Sequence, residues 1–266
     1  MDLGLGGKTV IVTGGGSNIG RGIVLAFARE GSNIVIAEID EKQGQKVADE
    51  ANALGGQAVP IKTDVTNWDS VQEMVKETLD RFGTIDVLVN CVGGRGRPRK
   101  FIETPKEECE KEINVTFWSV IHCTKAVLDH MIARRYGKIV NIGSPAGQSG
   151  LAGRMAAVYG GLKGAVISLS KALAWELGRY GINVNVVVPG WTIPESPENV
   201  AEASVWKQLG TQVFSPELLQ RAMQYQPIQR VGKPEDTADM VVFLASDRTS
   251  YITGQTISVS GGATMW

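Results

Sequence analysis

The sequence is poor in the residues that build metal sites and disulfide frameworks. It has 266 residues, of which three are cysteines and two are histidines, and aromatic side chains make up 6 %. Cys91, Cys109 and Cys123 follow no metal-ligand spacing, so we expect neither a metal nor a disulfide scaffold. A reducing cytoplasm suits such a chain. His122 and His130 have no obvious carboxylate partner, which favours packing or surface roles over catalysis.

The chain also lacks a charge excess and a long apolar run. Its 27 basic and 28 acidic residues give a net charge of −1, so no field favours nucleic acid or an anionic membrane. The apolar runs are too short to span a bilayer, and residues 1–7 lack the pattern of a signal peptide. We expect one domain over residues 1–266, with a small-molecule substrate and no nucleic-acid or membrane partner.

Short β-branched segments alternate with segments of helical periodicity. Strands are predicted at 8–13, 33–37, 58–62, 85–89, 138–142, 183–188 and 256–259. Helices are predicted at 21–30, 41–54, 71–82, 106–135, 155–180 and 234–246, with a bend allowed early in the fourth. The alternation favours an α/β fold: a single-domain, Rossmann-type, doubly wound parallel sheet with helices on both faces. Residues 191–225 break the pattern and predict a lid.

A glycine-rich turn, residues 14–20 (GGGSNIG), lies between the first strand and the first helix. This context aims free backbone N–H groups and a helix amino terminus at a phosphate. Glu38 ends the second strand, about 20 residues further on, where an adenosine ribose would bind. A carboxylate there accepts bonds from both ribose hydroxyls and repels a 2′-phosphate, which favours NAD over NADP. The alternative is an ordinary acidic residue at a helix start.

Tyr159 and Lys163 lie four residues apart in a predicted helix and therefore share one face. A tyrosine titrates near pH ~10, so acid–base chemistry at neutral pH requires a shift of roughly three units, or about 4 kcal/mol. A nearby positive charge in a partly dry site can supply that. Considered alone, a tyrosine and a lysine at this spacing would more often be two surface residues.

A compact basic loop, residues 94–100 (GRGRPRK), follows the fourth strand on the ligand side of the predicted sheet. Such a run is most often a solvated surface. Its position also permits Arg95 and Arg97 to contact an anionic substrate group, such as a carboxylate or a coenzyme A phosphate.

These motifs, in this order, resemble the short-chain dehydrogenase/reductase family over essentially the full chain. The motifs are Thr13-Gly14-x-x-x-Asn18-Ile19-Gly20, Asp64-Val65, Asn90-Cys91-Val92-Gly93, Asn114, Ser144, Tyr159 with Lys163, Pro189-Gly190, Tyr251 to Gln255, and Gly261-Gly262. Three features depart from the family pattern. Asn18 replaces the middle glycine, the Ser144–Tyr159 loop is two residues longer than usual, and Pro194 takes a usual threonine position.

The resemblance implies an oxidoreductase that transfers a hydride between NAD(H) and a secondary alcohol or ketone. Tyr159 would be the general acid or base, Lys163 would lower its pKa and hold the ribose, Ser144 would donate to the substrate oxygen, and Asn114 would hold a relay water. The implied cofactor residues are Gly14, Ser17, Asn18, Ile19, Gly20, Glu38, Asp64, Val65, Asn90, Gly93, Tyr159, Lys163, Pro189, Gly190 and Thr192. Candidate substrate contacts are Arg95, Arg97, Gln148, Arg154 and Trp191.

The resemblance also implies a homodimer or homotetramer. An anionic, bulky, cyclic or aromatic hydroxy compound, such as one linked to coenzyme A, is the favoured substrate. Two alternatives stay open. One is a 3-oxoacyl carrier-protein reductase, a group that generally prefers NADP, against which Glu38 argues. The other is a catalytically silent partner subunit, against which the intact tetrad of Asn114, Ser144, Tyr159 and Lys163 argues.

Overall fold

A parallel sheet forms the centre of the protein. The computed structural model describes residues 2–94, 96–150, 155–202, 204, 206–207, 215–224 and 226–265. Within this part of the chain the strands are β1 (Thr9–Thr13), β2 (Asn33–Glu38), β3 (Gln57–Lys62), β4 (Val87–Asn90), β5 (Gly137–Ile142), β6 (Ile182–Pro189) and β7 (Thr256–Val259). They pair in parallel in the order β3-β2-β1-β4-β5-β6-β7. The predicted doubly wound parallel sheet is confirmed.

The helices agree with the sequence periodicity to within a few residues at most ends. They are α1 (Asn18–Arg29), α2 (Glu41–Ala53), α3 (Trp68–Phe82), α4 (Lys106–Ile113), α5 (Ser119–Arg134), α6 (Ala157–Leu177), α7 (Pro216–Met223) and α8 (Pro234–Ala245). The predicted cap of α3 is present, since Asn67 accepts a bond from the Ser70 N–H and Gly83 ends the helix at φ 70°. In contrast, α1 begins at Asn18, inside the glycine turn, rather than at residue 21.

The helix predicted over residues 106–135 is interrupted. A five-residue π-turn, Asn114–Trp118, separates α4 from α5, and the Ser119 N–H donates to the Asn114 carbonyl five residues back. Turns of this kind insert one residue into the helical repeat and are frequent at functional sites. Side chains after the turn therefore point in directions that a continuous helix would not give them.

The sheet separates two hydrophobic cores. One core packs α1, α2 and α8 against one face, through residues such as Phe27, Val47 and Val241. The other packs α3, α5 and α6 against the opposite face, through residues such as Met74 and Met131. Helices on both faces leave the carboxyl ends of the strands as an open edge at which loops can build a site.

β1 lies between β2 and β4, so the strands β2 and β3 are added on one side of it and the strands from β4 onwards on the other. This is the topological switch point, where such sheets bind ligands. The Thr13 hydroxyl oxygen accepts bonds from the N–H groups of Cys91 at 3.0 Å and Val92 at 3.3 Å, which ties the two strand ends together.

The predicted lid, residues 191–225, is described only in parts. A β-bridge joins Thr192 to Gly232, and a short 3₁₀ turn covers Pro197–Asn199 before α7. Among the residues described, no helix combines the length and apolarity needed to cross a membrane.

Candidate active site

The glycine turn after β1 is closed by contacts that tolerate no side chain. Gly14 has φ 64°, and a Cβ on Gly20 would overlap the Gly14 carbonyl oxygen. A Cβ on Gly16 would lie 2.8 Å from Glu38 Oε2. Asn18, in place of the family's middle glycine, adopts φ 44°, a conformation that asparagine tolerates better than most residues. The turn thus keeps the shape of a phosphate cradle.

Two polar side chains of this turn are suited to a ligand. Ser17 occupies the N-cap position of α1 but makes no capping bond with its hydroxyl. The Oδ1 atom of Asn18 is buried without a hydrogen-bond partner in the described part of the chain. Uncapped N–H groups at a helix amino terminus bind phosphate oxygens. A dinucleotide phosphate therefore fits this cradle, with Ser17, Asn18, Ile19 and Gly20 around it.

Glu38 closes the cradle from the end of β2. Only 7 % of the residue is exposed, and its Oε2 accepts a bond from the Gly16 N–H at 3.0 Å. Its Oε1 accepts bonds from the N–H groups of Ile39 at 2.9 Å and Asp40 at 3.2 Å. These donors fix the carboxylate beside the glycine turn. An acceptor fixed in this way is suited to paired ribose hydroxyls.

Asp64 and Val65 follow β3 on the same edge. Asp64 Oδ1 accepts bonds from the backbone and the hydroxyl of Thr66, at 2.9 and 2.7 Å.

His122 Nδ1 donates to the Val65 carbonyl at 3.2 Å, and its ring packs between Trp68 and Trp118. His122 thus has a packing role. His130 has one too, since its Nε2 accepts a bond from the Ile85 N–H at 3.2 Å.

Tyr159 and Lys163 lie one turn apart on α6, as the spacing predicts. The Lys163 ammonium nitrogen is 5.9 Å from the centre of the Tyr159 ring. Lys163 is 2 % exposed and donates to the Ile142 carbonyl at the end of β5, at 2.6 Å. Burial lowers the pKa of Lys163 from 10.5 to about 8. A lysine that is charged at neutral pH is therefore held in a dry site beside the phenol.

Two glycines let the strand-end loops reach this lysine. A Cβ on Gly93, after β4, would lie 2.8 Å from Lys163 Nζ. A Cβ on Gly147, after β5, would lie 2.6 Å from the Lys163 carbonyl carbon. Ser144 stands at the end of β5, half-buried, and its Oγ accepts a bond from the Ala146 N–H at 3.2 Å. Its hydroxyl hydrogen can donate to a substrate oxygen.

The segment after β6 lies against the end of β7. A Cβ on Gly190 would lie 2.6 Å from Ser260 Cα, and the Gly190 N–H donates to the Val259 carbonyl at 2.8 Å. Thr192 is 5 % exposed because it packs against Gly232. Pro189, Gly190 and Thr192 are thus placed at the edge that carries the other predicted cofactor residues.

Comparisons with known proteins decide the family. Residues 14–264 match the family model described as "Enoyl-(Acyl carrier protein) reductase". The 2,3-dihydroxy-2,3-dihydro-p-cumate dehydrogenase of Pseudomonas putida is 34 % identical over 264 residues, covering 99 % of this chain and 96 % of that protein. The (2S)-[(R)-hydroxy(phenyl)methyl]succinyl-CoA dehydrogenase subunit BbsD of Thauera aromatica is 35 % identical over 267 residues, covering 99 % of both.

The 3-oxoacyl-[acyl-carrier-protein] reductase FabG of Thermotoga maritima is 34 % identical over 258 residues, covering 97 % of this chain and 98 % of that protein. A solved 7α-hydroxysteroid dehydrogenase, complexed with NADH and 7-oxo glycochenodeoxycholic acid, superposes with a TM-score of 0.87 at 31 % identity. The match covers 98 % of this chain and 96 % of that chain. The chain belongs to the short-chain dehydrogenase/reductase family. It is an oxidoreductase that acts on alcohol or ketone substrates with a nicotinamide cofactor.

Thr116, a residue that the sequence analysis missed, lies on the buried side of the π-turn that also contains Asn114. Asn114 lies on the exposed side of the π-turn, whereas Thr116 is fully buried. The Thr116 hydroxyl accepts a bond from the Gly94 N–H at 3.3 Å and donates to the Gly94 carbonyl at 3.1 Å. Its methyl group would lie 4.0 Å from a Cβ on Gly93. Thr116 thus fixes the loop after β4 at Gly94, and the relay role of Asn114 remains a prediction.

The amide of Asn90, a predicted cofactor residue, is used inside the protein. Asn90 Nδ2 donates to Thr124 Oγ1 at 3.1 Å and to Asn141 Oδ1 at 2.8 Å, and Asn141 in turn donates to Ser170 Oγ at 2.8 Å. This chain of bonds fixes β4, β5 and α6 relative to one another. The Nδ2 group of Asn90 is therefore engaged inside the protein, which leaves its backbone and Oδ1 for cofactor contact.

The predicted substrate residues are only partly described. Arg95 and Arg154 lie outside the described residues, and Trp191 is 42 % exposed. Gln148 Oε1 accepts a bond from Ser258 Oγ at 3.4 Å.

The basic loop, residues 94–100, meets the acidic face of α4. Arg99 pairs with Glu108 at 3.1 Å, and the Gly96 N–H donates to Glu112 at 2.5 Å. The Arg99 N–H donates to the Met155 carbonyl at 3.0 Å, which ties the loop to the start of α6. Arg97 lines the cleft between these elements. The acidic face thus neutralises part of the loop's charge, and Arg97 lies in the same cleft as Glu108 and Glu112.

The cysteines take no part in this chemistry. All three are free thiols. Cys91 lies close to Lys163, but burial raises the pKa of its thiol to about 12, as it does for Cys123. A thiol with so high a pKa is a poor nucleophile near neutral pH. In the described part of the chain, no group of three or more His, Cys, Asp or Glu side chains is placed to hold a metal ion.

Proposed function

We propose that the protein is an NAD-dependent dehydrogenase or ketoreductase for a secondary alcohol or its ketone. The observation that carries the cofactor assignment is the buried carboxylate of Glu38, held beside the glycine turn by three backbone N–H donors. Placed there, it would accept bonds from the ribose hydroxyls of NAD. A bound nicotinamide supplies the hydride acceptor or donor, and the protein supplies position and electrostatics.

The residues on α6 and β5 would then move the proton and stabilise the reacting oxygen. Tyr159 takes the proton of the alcohol in oxidation and returns it in ketone reduction. Ser144 donates to the substrate oxygen, where negative charge develops. Lys163 holds positive charge near the phenol, and its approach to Gly93 places it where a nicotinamide ribose could accept its bonds. This division of roles uses only side chains that the fold brings to one edge of the sheet.

Preference for NAD follows from the charge at the end of β2. A 2′-phosphate would lie close to the Glu38 carboxylate, and two like charges about 4 Å apart cost roughly 4 kcal/mol near a protein surface. The following residue, Ile39, is 50 % exposed and carries no charge that could compensate. The nearby Lys62 pairs with Glu41. NADP would therefore bind much more weakly than NAD.

Titration with NADH and NADPH tests this assignment. We expect the wild type to bind NADH at least about 100-fold more tightly, and Glu38→Gln to reduce that preference by about tenfold or more, because the carboxylate charge is lost while its shape remains. Asp49→Asn is the matched control, since it removes an exposed carboxylate from the nearby helix α2 and leaves the pair of Lys62 with Glu41 intact. Tighter binding of NADPH by the wild type would contradict the assignment to NAD.

For the substrate, we propose an anionic, bulky or cyclic hydroxy compound, such as an aromatic acid or an acyl-coenzyme A thioester. Arg97 supports this, because it lines the cleft between the basic loop, α4 and the start of α6. The relatives named for a dihydroxy-dihydro-p-cumate and for a succinyl-CoA compound also support it. Arg95, Arg154, Gln148 and Trp191 are further candidate contacts.

Arg97→Ala tests the role of the basic loop. We expect KM for a carboxylate or acyl-coenzyme A substrate to rise about tenfold, because a charge-assisted bond is lost, while KM for a neutral cyclic alcohol stays unchanged. Arg97→Lys should recover part of the effect, since it keeps the charge but not the bidentate geometry. If KM for the anionic substrate were the same in Arg97→Ala as in the wild type, an anion site at this loop would be excluded.

Two alternatives have specific support. A 3-oxoacyl carrier-protein reductase is supported by the FabG relatives, and the titration above would identify it by a preference for NADPH. A catalytically silent partner subunit is supported by the relative named as a subunit, and the intact Tyr159–Lys163 pair argues against it.

We also infer a cytoplasmic homo-oligomer, a dimer or a tetramer. Trp175 on α6 is 88 % exposed, which supports a helix face covered by a second copy. Light scattering of the purified protein tests the oligomeric state.

A further inference from the structure

The segment that follows β6 runs past the amino-terminal ends of three helices. It first meets the start of α8, where Thr192 bridges to Gly232. It then meets the first turn of α1, where Glu195 Oε2 lies 3.0 Å from Arg21 Nη1. Residues 195–202, which we call the clasp, go on to the first turns of α2. The middle one of these helix ends carries the glycine turn, so the clasp borders the edge where the cofactor phosphates would lie.

Two side chains of α2 hold the clasp through its backbone. Gln43 Nε2 lies 3.2 Å from the carbonyl oxygens of both Glu198 and Val200. Lys46 Nζ lies 2.9 Å from the Glu198 carbonyl and 3.0 Å from Asn199 Oδ1. Three of these four bonds are made to backbone carbonyls, so they depend mainly on the path of the chain.

The far end of the clasp is packed beside the ribose-binding end of β2. Val200 and Ala201 are each 4 % exposed, and the Glu202 N–H donates to Asp40 Oδ2 at 3.3 Å. Asp40 caps α2 and lies two residues after Glu38. A buried apolar pair and a capping carboxylate thus anchor the clasp next to the carboxylate assigned to the adenosine ribose.

We propose that the clasp retains the adenosine half of the bound cofactor, and that Gln43 and Lys46 are positioning residues that hold it closed. This rests on the proposed assignment of Glu38 to the ribose. A dinucleotide that leaves the edge of the sheet near α1 and α2 must pass the clasp, so the opening of the clasp sets the rate of departure. Gln43 and Lys46 act on the cofactor only through this segment.

The test is the dissociation rate of NADH, followed by stopped-flow fluorescence when excess NAD displaces it. In the double variant Gln43→Ala, Lys46→Ala we expect dissociation to be about five- to tenfold faster, with association changed less than about twofold, because changes at one interface act mainly on dissociation. The single variant Lys46→Met keeps the length of the side chain, and we expect about a two- to threefold acceleration from it.

Lys42→Ala is the matched control, because it removes an exposed lysine charge from the same helix. An NADH dissociation rate equal to that of the control would overturn the proposal, as would a lower melting temperature with an unchanged rate, which marks a purely structural role. Should the double variant fail to fold, the single variant gives the same decision. Failure of the wild type to bind NADH would instead contradict the assignment to NAD, so the two failures are distinguishable.

Discussion

Replacing Tyr159 by phenylalanine is expected to lower turnover about 100- to 10,000-fold, because the substrate loses its proton donor and acceptor. The ring remains, so the packing around α6 should be preserved and NADH should still bind within a few-fold of the wild-type affinity. Steady-state kinetics on a confirmed alcohol substrate, together with NADH fluorescence titration, measure the two effects separately.

Tyr251→Phe is the control for this experiment, since Tyr251 is fully exposed and removal of its hydroxyl should change neither quantity. Undiminished turnover in Tyr159→Phe would remove the central residue from the mechanism. Loss of NADH binding together with turnover would show instead that the phenol hydroxyl is needed to bind the cofactor.

Replacing Lys163 by methionine is expected to impair catalysis and to stabilise the protein. Turnover should fall about 100-fold or more, because the positive charge beside the phenol is lost. The lowering of the Lys163 pKa from 10.5 to about 8 corresponds to roughly 3 kcal/mol of destabilisation at pH 7. The variant also loses the hydrogen bond to the Ile142 carbonyl, which destabilises it by about 1–2 kcal/mol. We therefore expect a net gain of about 1–2 kcal/mol in the cofactor-free protein at pH 7.

The pH dependence distinguishes this cause from a change in packing. Burial disfavours the charged lysine, so its cost is present in full below about pH 8 and disappears as the pH rises towards 10.5. The stability advantage of Lys163→Met over the wild type should therefore shrink between pH 8 and 10, as measured by thermal unfolding. Lys171→Met, at an exposed position on the same helix, should show no such dependence. A variant less stable than the wild type at pH 7 would contradict the argument.

Much of the fold could be predicted because its rules are local. The short β-branched strands and the glycine turn follow from backbone sterics and side-chain periodicity. Gly14 indeed has φ 64°, and a Cβ on Gly16 or Gly20 would collide with neighbouring atoms. The placement of Glu38, Ser144 and Tyr159 near one edge then follows from the parallel order of the strands.

The features that could not be predicted leave no periodic pattern in the sequence. The π-turn at 114–118 changes the backbone hydrogen-bond pattern of the helix, and within this turn Thr116 is held against Gly94. A pattern read at the spacing of a regular helix cannot detect it. The clasp joins residues about 150 positions apart through bonds to backbone carbonyls, as with Gln43 and Glu198. Such bonds place almost no demand on side-chain identity, and so leave no motif.

The two hydrophobic cores have a consequence for how enzymes of this design can diverge. The proton chemistry that we propose uses Tyr159 on α6, whereas the clasp is held by α1 and α2 on the opposite face of the sheet. Substitutions at well-separated sites combine additively in free energy. Natural variation can therefore lengthen or shorten the time for which the cofactor is kept without altering the bond-breaking step, and a lineage can adapt each rate on its own.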